Sequence, residues 1–369
     1  MTAQPPPRPR RQRIRVSRRF RAGARHTGQV VAEQTVRVVR PSAPPTDAIP
    51  VWTSPDGVDR ATAQAVVDLA LRVGVALLAT GAPAREVVSR TLRVARAYGL
   101  RSIHVDVTFS SLTVSYHRGP NADPMTVMRV VRTRSQDFTR YQRLRDLVES
   151  LAAEPIDVER ARVRLDSVIQ AHHPYRRWIV SAATGGIGAS AAALLGGGPL
   201  IVLLTFLTSV AIASLQHQLK RAGFAPFFTQ AVGAAVPTAV AVGVAVLRRD
   251  LVLLSVSPSL VVAAGIVVLL SGLSFVGAAQ DAIEGYYVTA GGRLTEVMVL
   301  TVGMIAGIVA VLAVAHRIGV PMTISTRTMG DVDTVVQVLA AAAAASFAVS
   351  SYAVGRAVLV CGLAGGAAL

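Results

Sequence analysis

The sequence predicts a polytopic α-helical membrane protein with a cytoplasmic α+β domain, about ααβββαα, ahead of its spans. Three observations predict it. From Trp178 onward, apolar runs of membrane-spanning length recur with short polar breaks between them, and a span needs about 20 mostly apolar residues. Before Trp178 the chain is polar and arginine-rich. Within that first part the hydrophobic period switches from helical to alternating and back.

Composition agrees with two segregated halves. The 369 residues carry a net charge of +17 and are 52% hydrophobic, with a mean hydropathy of +0.48. High charge and high apolarity coexist only if they occupy different segments, and such asymmetry points to a membrane or nucleic-acid partner. The apolar runs decide for the lipid bilayer. Nucleic acid is not expected, because no aromatic residues interleave with the arginines as stacking platforms. The single Cys361 excludes an intrachain disulfide and a multi-cysteine zinc site. No metal or cofactor motif is found, and the lack of a Gly-x-x-x-x-Gly-Lys-Ser/Thr loop argues against ATP-driven transport.

Four segments follow. Residues 1–55 form a basic Pro/Arg-rich arm and linker, read as disordered by composition or as a polybasic arm on anionic lipid. Residues 56–175 form the α+β domain. Asp56 or Asp59 caps a first helix running to about Thr80, whose dense apolar positions from Val66 to Leu78 suit a packed core. Gly81-Ala82-Pro83 breaks it, and Pro83 suits the first turn of a second helix ending near Tyr98-Gly99. Ile103, Val105 and Val107 then alternate with polar residues, Leu112–Tyr116 repeats the pattern, and Ser110-Ser111 is read as the turn between them. A third strand is expected over Thr126–Arg132, then helices over Asp137–Ala153 and Ile156–Ala171.

Residues 176–319 make a five-span module, with spans at Trp178–Leu195, Leu200–Leu215, Phe227–Leu247, Ser257–Ala279 and Leu294–Ala315. Arg176-Arg177-Trp178 reads as a cytoplasmic interface, and Lys220 and Arg221 fall on the same side, whereas Arg248 and Arg249 vote against that orientation. Gly303 and Gly307, four apart, suit close helix packing. Residues 320–369 read as the start of a second, truncated module.

Few side chains here can carry chemistry. Asp281 and Glu284 follow the fourth span with Gln280 beside them and no charged partner nearby, and Gly285, Gly291 and Gly292 loosen the backbone that follows. Ionisable residues at membrane depth mark ion or substrate paths, so Asp281, then Glu284, are the first candidates for a proton or substrate site, against the plainer reading of a wet loop. Ser271, Gln230 and Thr238 are polar positions within spans, and Pro237 beside Thr238 could kink its helix; self-bonded Ser and Thr are the commoner case. In the front domain, His104, Asp106, Ser110, Ser111 and His117 could form a hydrolase-like set, although no Gly-x-Ser-x-Gly elbow surrounds either serine.

Leu78–Val88, with Gly81-Ala82-Pro83 and Glu86, is similar to the opening helix break of the threonine/serine exporter family. Asp106–Val114 resembles the strands that follow, and Leu270–Tyr287 resembles the fourth-span exit, with Ser271-Gly272 where the family usually has Pro-Gly. The resemblance covers about Asp59 to Gly319. It implies export of threonine, serine or similar small amino acids by a secondary transporter in a bacterial inner membrane. Proton-motive force is the implied drive, and Glu86 and Gly285 join the site candidates. It also implies a two-module assembly, completed by a second-module membrane protein or a homo-oligomer. The rival readings are a membrane-anchored enzyme with a hydrolase-like soluble domain and a non-transporting subunit.

Overall fold

Asp59 starts the first helix. Its carboxylate accepts the N–H groups of Ala61 and Thr62 at 3.1 Å, satisfying two donors that a helix start leaves unpaired. The computed structural model describes residues 58–118, 123–250, 257–320 and 334–368, all within one compact unit, Trp52–Leu369. The arginine-rich arm lies outside the described residues.

The α+β layer contains α1 (Arg60–Ala79), α2 (Ala84–Ala97), β1 (Ile103–Thr108), β2 (Ser111–Tyr116), β3 (Met125–Val130), α3 (Phe138–Ala153) and α4 (Val158–Gln170). This is the expected ααβββαα order. The strands form an antiparallel sheet in sequence order, with Val105 opposite Val114 and Val114 opposite Val127. Leu112, Val114 and Tyr116 point from β2 into a core with Leu69, Leu77, Leu100, Leu144 and Leu165. The turn is one residue earlier than expected: Thr108 pairs with Ser111, and Phe109 at φ 47° leads it.

The remaining helices are α5 (Arg177–Leu194), α6 (Pro199–Arg221), α7 (Pro226–Asp250), α8 (Pro258–Leu269), α9 (Gly272–Ile283), α10 (Tyr287–Arg317), α11 (Thr334–Ser350) and α12 (Gly355–Ala367). By length and composition α6, α7 and α10 can each cross a membrane; α1 also passes that test, but most of it is buried inside the α+β layer. The expected fourth span is two helices bent by 46°, with Leu270 and Ser271 at the break. The fifth begins at Tyr287, earlier than expected, and runs through Gly291-Gly292 without loosening. Helices α11 and α12 are shorter apolar helices.

Glycines set the helix contacts. A Cβ on Gly303 would stand 2.7 Å from the Phe227 carbonyl oxygen, and one on Gly307 would collide with that of Ala231. Both helices thus run in the same direction at close approach, which Gly303 and Gly307 permit. Because Gly303 is level with Phe227, the residues from Tyr287 to Val302 extend past the start of α7 by roughly 24 Å at 1.5 Å per residue. The α9–α10 hairpin therefore reaches up to the α+β layer. A second hairpin tip, between α11 and α12, meets the same layer: Phe138 N–H donates to the Ser351 carbonyl at 3.2 Å, Tyr175 O–H to that of Ala353 at 2.9 Å, and Thr139 Oγ1 to that of Tyr352.

Gly307→Val should force α7 and α10 apart and cost about 1–3 kcal/mol by overpacking. Thermal melting of the purified protein in detergent, followed by gel filtration, should show a lower midpoint. Gly243→Ala, which meets nothing within 4 Å, should melt like the parent.

Candidate functional site at the α9–α10 turn

Helix α9 ends in a Schellman turn. Gly285 has φ 88°, Tyr286 N–H donates to the Asp281 carbonyl at 2.8 Å, and Gly285 N–H donates to that of Ala282 at 3.1 Å. Six-to-one and five-to-two bonds of this kind satisfy the last carbonyls, and the left-handed residue suits glycine. Tyr286 then packs against the α+β core, and α10 starts beside it.

That turn brings Asp281 and Arg293 together. Arg293 Nε lies 3.1 Å from Asp281 Oδ2, with side chains 5% and 0% exposed; the pair is ionic contact, without hydrogen-bond alignment at those two atoms. This corrects the expectation that Asp281 has no charged neighbour. Gly277 makes room for the guanidinium, since a Cβ there would stand 2.5 Å from Arg293 Nη1.

The same two residues hold the α+β layer. Pro83 is the N-cap of α2 and offers no side-chain cap, so the first N–H groups of α2 need another acceptor. Asp281 Oδ1 accepts from Ala84 N–H at 2.8 Å, and Arg293 Nη2 donates to the Ala82 carbonyl at 2.9 Å. Asp281 thus caps a helix nearly two hundred residues away in sequence. Next to it, Thr289 Oγ1 donates to the Val107 carbonyl at 3.0 Å and accepts from Phe109 N–H at 3.1 Å. Phe109 also lies against Gly292, where a Cβ would meet its ring at 2.7 Å. Arg134 sits 4.4 Å from the centre of that ring and donates to the Phe109 carbonyl. Burial, and next the like charge of Arg293, hold the Arg134 guanidinium below the ordinary arginine range.

Glu284 has a different environment. Gln280 Nε2 donates to its Oε1 at 3.3 Å, while its Oε2 is buried without a hydrogen-bond partner. Burial pushes its carboxyl above the usual glutamate range, against the lowering effects of Gln280 and the Arg85 charge. Two acids three residues apart therefore differ: one is ion-paired and capped, the other has an oxygen with no donor.

The other candidates scatter. Glu86 binds Arg90 at 3.0 Å and Arg145 at 3.6 Å, tying α2 to α3. Burial, and then Glu86, push the neighbouring Tyr141 phenol up to about 12. Gln230 Nε2 donates to the Leu269 carbonyl at 2.6 Å, and Gln216 Nε2 donates to Gln230 Oε1 at 3.3 Å. These two glutamines thus bind the end of α8 where the span breaks. Ser271 is the N-cap of α9 without a side-chain cap bond. Thr238 bonds back to the Ala234 carbonyl at 2.9 Å within its own helix. Pro237 packs on Gly265, where a Cβ would stand 2.5 Å from the ring.

In the hydrolase-like set His104 and His117 meet edge to face, ring centroids 6.0 Å apart, but the serine and the acid bond locally. Ser111 Oγ donates to the Thr108 carbonyl and Asp106 accepts from Thr108 Oγ1, both within the hairpin. Arg293, Gln216, Arg134 and Thr289 were missed by sequence reasoning. Arg293 had a signal: a lone cation in the first turns of an apolar helix, facing the acids Asp281 and Glu284 across a short turn.

A family model described as "Putative threonine/serine exporter" matches residues 68–315, from α1 through nearly all of α10, and so includes every residue of this turn. A protein of Mycobacterium tuberculosis named "Probable threonine/serine exporter" is 34% identical over 320 residues, 85% of this chain and 59% of that protein. The "Threonine/serine exporter" of Corynebacterium glutamicum is 30% identical over 336 residues, 89% of this chain and 67% of that protein. The chain thus spans about three-fifths to two-thirds of the length of these relatives. No solved structure matches. The three segments that resemble exporters in sequence meet here, the α1–α2 break at Asp281 and Arg293 of the α9–α10 turn and the β1–β2 hairpin at Thr289 beside them, and with the family model matching most of its length the chain belongs to the threonine/serine exporter family.

Proposed function

We propose that the chain exports small amino acids of the threonine/serine class, driven by proton-motive force, with the α+β layer in the cytoplasm. The relatives' names support the substrate class. The observation that carries the reading at residue level is the broken span α8–α9 beside the buried Gln230 and the half-buried Gln216. A break within a span frees carbonyls at the end of one half and N–H groups at the start of the other, which suits the ammonium and carboxylate of a zwitterion. Here α9 starts without a side-chain cap at Ser271, and Gln230 with Gln216 marks the end of α8. Asp281 and Arg293 close the path at its cytoplasmic end. Glu284, with its donor-less buried oxygen, exchanges the coupling proton. Residues 320–369 begin a second module, and a second-module protein or another copy of the chain is the partner that completes the path. The enzyme reading has no comparable support.

Four measurements test this. Asp281→Asn leaves Arg293 buried and uncompensated, a loss of about 3–5 kcal/mol. It should slow efflux strongly and melt lower than the double variant Asp281→Asn with Arg293→Gln. Equal melting of single and double variants would remove the ion pair from the argument.

Glu284 carries the pH dependence. Its folded pKa is raised, so the native state holds the proton more tightly than the unfolded chain. Its stabilising contribution is present below the unfolded value and is lost as pH rises through the folded value. Glu284→Gln should flatten efflux against pH in liposomes bearing a pH gradient, while substrate exchange without a gradient continues. Gradient-driven efflux equal to that of the parent would reject the assignment.

Gln230→Leu removes the bond to the Leu269 carbonyl and should weaken apparent substrate affinity in efflux assays about tenfold, as loss of a buried polar partner does. An unchanged half-saturating concentration would place the substrate elsewhere. For orientation, Asp123→Cys in a Cys361→Ser background should resist an impermeant thiol reagent on intact cells and react after permeabilisation.

A further inference from the structure

We propose that the start of α5 and the end of α6 form a headgroup site for an anionic phospholipid. Close packing of α5 on α6, where Gly185 lies against Phe206 and Val210, and Gly188 against Thr205 and Ser209, runs the two helices antiparallel. It brings Arg176 and Arg177 at one helix start to Lys220 and Arg221 at the other helix end. The charges of Arg177, Lys220 and Arg221 all reach His217. All five side chains are exposed. Among the described residues none of the four cations forms an ion pair, and no acid is among the groups acting on His217.

Some exposed arginines elsewhere find carboxylates, as Arg93 does with Glu149 and Arg129 with Asp68. This corner gathers cations without one. The carbonyl end of α6 offsets only part of that charge. A phosphodiester supplies the missing anion, and its acceptor oxygens suit the planar donor fork of arginine.

The surroundings commit the site to lipid over free phosphate. Trp178 follows Arg177 and is 67% exposed, and Phe224 and Phe228 follow Arg221 with 52% and 58% exposed. Aromatic rings beside cations at the ends of apolar helices suit the headgroup level of a bilayer. The site would hold the phosphate between Arg177 and Lys220–Arg221, with Trp178 beside the glycerol and upper acyl chain.

The chain has two tryptophans, so Trp52→Phe leaves Trp178 as the only tryptophan, which is excited selectively over tyrosine. The full-length Trp52→Phe protein is reconstituted in mixed phosphatidylcholine and phosphatidylglycerol vesicles, with bromine on the acyl chains of one lipid or the other. Quenching of Trp178 then reports the share of each lipid beside it. The expected result is a phosphatidylglycerol share about threefold above bulk. It should fall to the bulk value when Arg177→Gln, Lys220→Gln and Arg221→Gln are combined, fall partway with Arg177→Gln alone, and persist in millimolar inorganic phosphate. Gel filtration checks that each variant folds; should the triple variant fail, the single variant decides. A bulk share in the parent, an excess that survives Arg177→Gln undiminished, or displacement by inorganic phosphate overturns the proposal.

Discussion

The carboxylate of Asp281 does two jobs at once. One oxygen caps α2, whose own N-cap is a proline with nothing to offer; the other faces the Arg293 guanidinium. Each job needs the other. A carboxylate with no exposure could not stay charged without a counter-ion, and Arg293, itself nearly sealed, could not reach the Ala82 carbonyl without an anion beside it. The Schellman turn at Gly285, the small residue at Gly277 and the glycine under Phe109 all serve to let these groups approach. The α+β layer is therefore attached to the membrane helices by polar bonds with fixed geometry. Tyr286 against the core and Phe109 against Gly292 add apolar contact there.

A membrane helix that breaks must find partners for the groups it frees. At Leu269 the partner is Gln230, supported by Gln216, two side chains on neighbouring helices. The broken span is thus held in its bent form by groups outside itself, and the close contact of Pro237 with Gly265 packs α7 on α8 one helical stretch below. Bent span and capped turn belong to one continuous piece, α8 through α10, and the break and Asp281 lie at opposite ends of a single 12-residue helix.

Much of the α+β layer could be read from the sequence because its signals are local. Asp59, Pro83 and Gly99 punctuate helices, and the alternation of Ile103, Val105 and Val107 needs no tertiary information. The turn slipped by one residue because Ser-Ser is a better turn pair than Phe-Ser by propensity; Phe109 is held at positive φ by Thr289, Gly292 and Arg134, which lie far away in sequence. The break at Leu270–Ser271 left only a weak local signal, since Ser271-Gly272 interrupts the apolar run without a proline. Asp281 stood out as a rare acid, but its function as a cap depends on Ala84, and no spacing rule links positions so distant. The partner Arg293 was closer to legible, since a short turn between two helices brings residues on either side of it to the same level.

The α+β layer grips two hairpin tips, one at Asp281–Thr289 and one at Ser351–Ala353. His173, stacked on Tyr352 at 4.4 Å and paired with Asp137 at 3.0 Å, reinforces the second grip. A rigid body bolted at two points works as a caliper. If α9–α10 and α11–α12 move together, both sets of bonds survive and the layer rides along. If the gap between them widens or narrows, one set must open first, and the cheaper set to lose is the one at Ser351–Ala353, where His173, the partner of the buried Asp137, is itself exposed, whereas Asp281 and Arg293 are both buried. The order in which the two grips release is thereby written into their chemistry.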